Sequence, residues 1–117
     1  MADFSALIER MDEQRARWVS LPDGKRVRFR RPLETEFVKF RIGVDVNHLC
    51  EYVCGWDGFS EVDMLGAAIG SSDPLPFSAE LWSRVVRDRM DYVRPVATAM
   101  VEAITEHVAA KEASAKN

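Results

Sequence analysis

The run Pro22-Asp23-Gly24, followed by Lys25-Arg26-Val27-Arg28-Phe29-Arg30, restricts this chain more than any other stretch. Pro presets φ and Gly takes a positive φ at no steric cost, so the tripeptide is a turn. Behind it Val27 and Phe29 alternate with Arg26, Arg28 and Arg30, the two-residue period of a half-buried strand. Val19 and Leu21 supply the shorter arm of a β-hairpin. A two-stranded hairpin is marginal in water, so its apolar side must be covered by helices. In this reading it is the only sheet in the molecule.

Helices are legible on both sides of it. Phe4, Leu7, Ile8, Met11 and Trp18 carry the spacing of an amphipathic helix over 4–18, with Asp3 as N-cap and Trp18 closing the core between helix and hairpin. Pro32 opens a second helical run, with Glu34 and Glu36 in its first turn, Phe37 and Phe40 on its apolar side, and Gly43 as its interruption. Val46, Leu49, Cys50, Val53 and Cys54 give a third helix that stops at Gly55. Residues 55–77 are irregular, with a helical turn around Glu61 to Leu65. Ser78 caps a helix bearing Leu81, Trp82, Val85 and Val86. The chain bends or restarts at Pro95, and the last helix carries Val93, Val96, Ala97, Met100, Val101, Ile104 and Val108. The expectation is a mainly α fold of four to five helices with one small N-terminal β-hairpin. Val101→Asp should then unfold it by burying a charge.

With 117 residues there is room for one domain, over 1–112, and the Ala/Lys/Glu-rich end, 113–117, should fray. Hydrophobic residues at 47% and charged residues at 30% are ordinary for a folded soluble protein. No apolar stretch approaches the roughly 20 residues of a membrane span, and charge at Glu9 and Arg10 interrupts any signal-like segment. Two cysteines suit a reducing compartment.

Few residues here have the company that chemistry requires. His48, Cys50 and Cys54 resemble a metal cluster, but on a helix His48 and Cys50 point about 200° apart. The cysteines read instead as small hydrophobes on the apolar stripe. Neither histidine sits in a nucleophile motif, and Gly66-Ala67-Ala68-Ile69-Gly70 lacks the Lys-Ser/Thr ending of a phosphate loop. The expectation is no enzyme, no cofactor and no metal.

Charge is unevenly spread. The run Lys25, Arg26, Arg28, Arg30, Arg31 is either an interaction surface or a solvated hairpin face kept charged against aggregation. Up to residue 44 there are ten basic and seven acidic residues; beyond it, six and twelve. A chain with such poles can stack head to tail on copies of itself, in a salt-dependent way. The net charge of −3 argues against nucleic acid or an acidic membrane as partner. A small nucleic-acid-binding regulator using the Arg-rich hairpin is the weakest of the readings.

Gly55-Trp56-Asp57-Gly58, then Asp73-Pro74-Leu75-Pro76-Phe77-Ser78, resembles the tail assembly chaperones of long-tailed bacteriophages. In that family a helix ends in a Gly-Trp turn, a variable loop follows, and a Pro-x-Pro-Phe-Ser/Asp element opens the next helix. Leu21-Pro22-Asp23-Gly24-Lys25 and Val27 to Pro32 are similar to the family's hairpin, so the likeness covers roughly residues 18–90.

The resemblance implies a small, mainly helical, oligomeric chaperone that works in the host bacterial cytoplasm and is absent from the mature virion. It implies binding to the tape measure protein and recruitment of the major tail protein. It also implies that a longer frameshifted form can exist, and it supplies no catalytic residue. The alternative is a structural virion component, such as a tail-completion or head–tail connector subunit. A chaperone needs exposed apolar anchors, and Trp56, Phe59, Leu75, Phe77 and Trp82 are the ones the sequence offers; the competing reading makes them a cluster that tucks the loop onto the core. On the first reading Trp56→Ala spares the fold and weakens client binding. The basic hairpin face is Lys25, Arg26, Arg28 and Arg30.

Overall fold

The computed structural model describes residues 2–116. Helix α1 (Ser5–Gln14) leads directly into β1 (Ala16–Ser20), and a tight turn at Pro22–Gly24 returns the chain along β2 (Arg26–Arg30). Asp23 and Gly24 both take left-handed backbone, φ 65° and 74°, which Asp tolerates and Gly adopts freely. The loop is closed by the Leu21 amide donating to Lys25 O at 2.7 Å. The expected hairpin therefore forms, but it is not the whole sheet.

A third strand, β3 (Val53–Asp57), pairs antiparallel with β2, giving the order β1-β2-β3. It follows α2 (Val46–Tyr52) without a loop, so the helix expected to continue to Cys54 ends two residues earlier and its chain is re-used as strand. Arg28 pairs with Gly55 and Phe29 with Val53, leaving Cys54 as the extra residue of a bulge. The first helix is likewise shorter than its apolar spacing predicts. Trp18 belongs to β1, opposite Arg28, and is 45% exposed, so it does not close the core.

Val19, Val27, Phe29, Val53 and Trp56 face inward from the sheet and are buried against the helices. Behind them lie Leu49 and Tyr52 of α2, Trp82 and Val86 of α4 (Ala79–Arg87), and Tyr92, Val96, Met100 and Ala103 of α5 (Met90–Ala115). The Trp82 indole N–H donates to Leu49 O at 3.1 Å inside this core and so ties α4 to the end of α2. Ser78 caps α4 as expected, its hydroxyl accepting from the Leu81 amide at 3.2 Å. Asp45 caps α2, accepting from the amides of Asn47 and His48, while His48 Nδ1 accepts the Asp45 amide.

Pro95 lies inside α5, which starts at Met90 and needs no restart. Its buried line is Tyr92, Val96, Met100 and Ala103; Val101 and Val108 are 47% and 40% exposed, so the stripe read from the sequence is turned relative to the real one. Val101→Asp therefore buries no charge. The helix continues to Ala115 through most of the segment expected to fray; Asn117 lies outside the described residues. Between the sheet and α2, Glu34–Phe40 winds as a 3₁₀ helix, with the Leu33 amide donating to Glu36 Oε1 at 2.9 Å. The one-turn α3 (Val62–Leu65) sits in the 55–77 segment. The fold is mainly helical with a three-stranded antiparallel sheet.

Candidate functional site

The aromatic residues expected to meet a partner instead meet each other. Trp56 stacks on Phe59 with ring centroids 4.6 Å apart and meets Phe77 edge-on at 5.3 Å. Phe59 in turn approaches Trp82 at 6.4 Å and Tyr92 at 6.1 Å. Trp56, Phe59 and Trp82 are buried, and only Leu75 and Phe77 are half-exposed. The Trp56 indole N–H donates to Leu75 O at 2.8 Å, so the two halves of the Gly-Trp and Pro-x-Pro-Phe pattern touch in space. These side chains fasten the 55–77 segment to the sheet. Trp56, Phe59 and Trp82 are closed to a partner while the domain is folded, whereas Leu75 and Phe77 keep part of their surface open.

Of the four basic hairpin residues, three stay on one face and one leaves it. Arg26, Arg28 and Arg30 share the outer face of the sheet with Trp18. The Arg26 guanidinium lies 4.1 Å from the Trp18 ring centroid and 3.2 Å from Asp57, its neighbour across β3. Lys25 leaves this face: it is 8% exposed and its ammonium is 2.7 Å from Asp63 of α3. The hydrogen bond to Asp63 raises the Lys25 pKa. Burial pushes the Asp63 carboxyl up, but hydrogen bonds from Lys25 and Ser60 outweigh it and hold the group below the usual aspartate range.

His48 is occupied in capping α2 and lies 4.4 Å from the Phe40 ring. Cys50 Sγ is 3.5 Å from the Ser83 hydroxyl, and Cys54 sits at the bulge of β3, away from the helical stripe on which it was placed. Among the described residues, no three His, Cys, Asp or Glu side chains converge as metal ligands would.

The surface the sequence reading missed is α1. Its apolar stripe was assigned to the core, yet no residue of α1 is buried. Phe4, Leu7, Ile8 and Met11 are 54–61% exposed. The helix stands off the body, and the radius of gyration is 16.5 Å, where a compact chain of this length has about 13 Å. Its direction is fixed at its last turn. Arg15 donates to Arg31 O at 2.6 Å and to Asp12 at 3.0 Å, while the Arg31 amide returns a bond to Arg15 O at 2.8 Å.

Beside that corner a groove of about 720 Å³ opens between α1 and α5, lined by Met11, Arg15, Arg31, Leu33, Ala103 and Glu106 among others. Arg17 is matched there by Glu106 at 2.7 Å, and Glu34 by His107 and Lys111. The Arg31 guanidinium donates to Pro32 O and has no carboxylate partner among the described residues. Burial, then the charge of Arg15, pulls its pKa down. The apolar stripe and the groove meet at Met11, so they form one continuous face. The sequence carries no local signal for this openness: an amphipathic stripe looks the same whether its cover is inside or outside the chain.

The chain matches no family model, no curated protein and no solved structure.

Proposed function

We propose that this protein is a non-enzymatic tail assembly chaperone of a long-tailed bacteriophage. It acts in the host cytoplasm, holds the tape measure protein in a soluble form, helps to recruit the major tail protein, self-associates, and is absent from the finished particle. The resemblance over residues 18–90 suggests the reading. The observation that supports it best is the uncovered apolar stripe of α1, which runs into a groove. Exposed apolar surface of that continuity is uncommon on a small monomeric domain and marks a face that works by covering a protein partner.

Co-expression with the tape measure protein of the same phage, followed by size exclusion with light scattering, tests it. A soluble client that co-elutes with several copies of this chain is the expected result. A client that precipitates while this chain stays alone in solution overturns the reading and leaves a structural virion component, to be sought in purified particles.

A further inference from the structure

The geometry points to a second copy of this chain as the occupant of the α1 face, with the two α1 helices packed antiparallel about a two-fold axis. This gives a surface to the self-association proposed above, and it needs no part of the tape measure reading.

The stripe is symmetric along its own helix. Phe4, Leu7, Ile8 and Met11 are evenly disposed about the point between residues 7 and 8. Antiparallel packing therefore sets Leu7 against Ile8 of the second copy, and Phe4 against its Met11, in both directions at once. A two-fold interface requires such self-complementarity. The four side chains, each more than half exposed, present about 400 Å² of apolar surface per copy. A stable interface needs about 800 Å² on each side, so the helices alone fall short. The groove adds to the contact, because Met11 marks its mouth, and the dimer is correspondingly weak and concentration-dependent. In this register Phe4 of the second copy enters the groove beside Met11 and approaches Leu33, itself 49% exposed.

In the same register Asp3 of the second copy lies over Asp12, whose carboxylate is already taken by Arg15, and beside Arg31. Asp3 immediately precedes Phe4, and its carboxylate is held ready by the Ser5 amide at 2.9 Å and hydroxyl at 2.6 Å. Arg31 lies in the wall of the groove that receives Phe4, without a carboxylate of its own among the described residues. Asp3 of one copy therefore supplies the counter-charge for Arg31 of the other. Both ends of the contact do this, and neither copy can do it for itself, because Asp3 lies at the opposite end of α1 from the Arg15–Arg31 corner, about 18 Å away along the helix.

Sedimentation velocity across about 1–200 µM protein tests the proposal on the free chain. The mass should move from that of one chain, 13.3 kDa, towards twice that value. The double variant Leu7→Glu/Ile8→Glu changes only exposed positions, so its circular dichroism and melting should match the wild type while dimerisation weakens at least tenfold. The single variants Leu7→Glu and Ile8→Lys should each remain monomeric and form a dimer when mixed, since the introduced carboxylate and ammonium then face each other. Arg31→Gln should weaken the dimer at low salt more than at high salt. A wild type that keeps the mass of one chain throughout, or a dimer indifferent to Leu7→Glu/Ile8→Glu, overturns the proposal. Failure of the mixed variants to pair overturns the antiparallel register. A monomeric wild type whose client solubility is abolished by Leu7→Glu/Ile8→Glu assigns the face to the client instead.

Discussion

Lys25 Nζ lies 2.7 Å from Asp63 Oδ1, with the two side chains 9% and 19% exposed, and this one contact joins the hairpin turn to α3 within the 55–77 segment. Asp63 also accepts the Ser60 amide at 2.7 Å, so a single carboxylate organises the entry to α3 and receives the turn. Removing one charge leaves the other in a poorly solvated site. Lys25→Met should cost about 3 kcal/mol, a loss read as a lower urea midpoint. Lys25→Met/Asp63→Asn should recover most of it, because the asparagine oxygen keeps the Ser60 bond and no charge is stranded. A double variant no more stable than Lys25→Met would disprove the ion-pair account.

Acid should loosen the molecule at named places. Glu34 is held at about 2, below its ordinary 4.5, by hydrogen bonds from Lys111 and then His107. Glu36 is lowered by the Leu33 amide and the Tyr52 hydroxyl. Both groups are more acidic folded than unfolded, so their contribution is complete above the unfolded value and disappears as pH falls through the folded one. The melting temperature should be flat near neutrality and decline between about pH 4.5 and 2. In Glu34→Gln the lower part of that decline should be shallower.

Neighbouring positions on α5 should behave oppositely. Met100 is fully buried and Val101 is 47% exposed. Met100→Asp should abolish cooperative unfolding, since it places an unpaired charge in the core. Val101→Asp should stay within about 0.5 kcal/mol of wild type. Thermal melts followed by circular dichroism distinguish the two at once.

Trp56→Ala should destabilise the domain by about 3–4 kcal/mol, because it removes a buried ring stacked on Phe59 and the donor to Leu75 O. The 55–77 segment should become protease-sensitive in that variant before the rest of the chain does. Equal protection in wild type and variant would show that Trp56 is not the fastener.

Gly70 should resist substitution. A Cβ there would lie 2.7 Å from the backbone of Glu61 and Val62, which is too close for any rearrangement of a side chain to relieve. Gly70→Ala should release the 61–71 turn, and faster amide exchange at Val62, whose N–H donates to Ser71 O, would report it.

Local chemistry was legible and long-range pairing was not. The Pro22-Asp23-Gly24 turn, the alternation in β2 and the Ser78 cap each depend on residues within one turn of each other, and all three stand as read. Strand β3 was hidden because Val53 and Cys54 happen to continue the helical spacing of Val46, Leu49 and Cys50. Only the bond pattern of β2, distant in sequence, pulls them into a strand. Trp18 was misplaced for the same reason: it fits the α1 stripe seven residues after Met11, yet pairing with Arg28 fixes it in β1. Trp56, Phe59 and Trp82 could not be told from open anchors because aromatic residues in a glycine- and proline-rich stretch have the same composition whether they fold back or face out. Burial separates the cases, and burial is a property of the whole chain.

The three tryptophans occupy unlike surroundings. Trp56 and Trp82 are enclosed, with their indole N–H groups on Leu75 O and Leu49 O, while Trp18 stands half open beside Arg26 on the outer sheet face. Optically, the chain thus carries its own two-colour label. Red-shifted, quencher-accessible emission belongs to the sheet surface, and blue-shifted, protected emission belongs to the interior. Anything that settles over Arg26, Arg28 and Arg30 dims or shields the first signal alone, whereas loss of the fold merges the two.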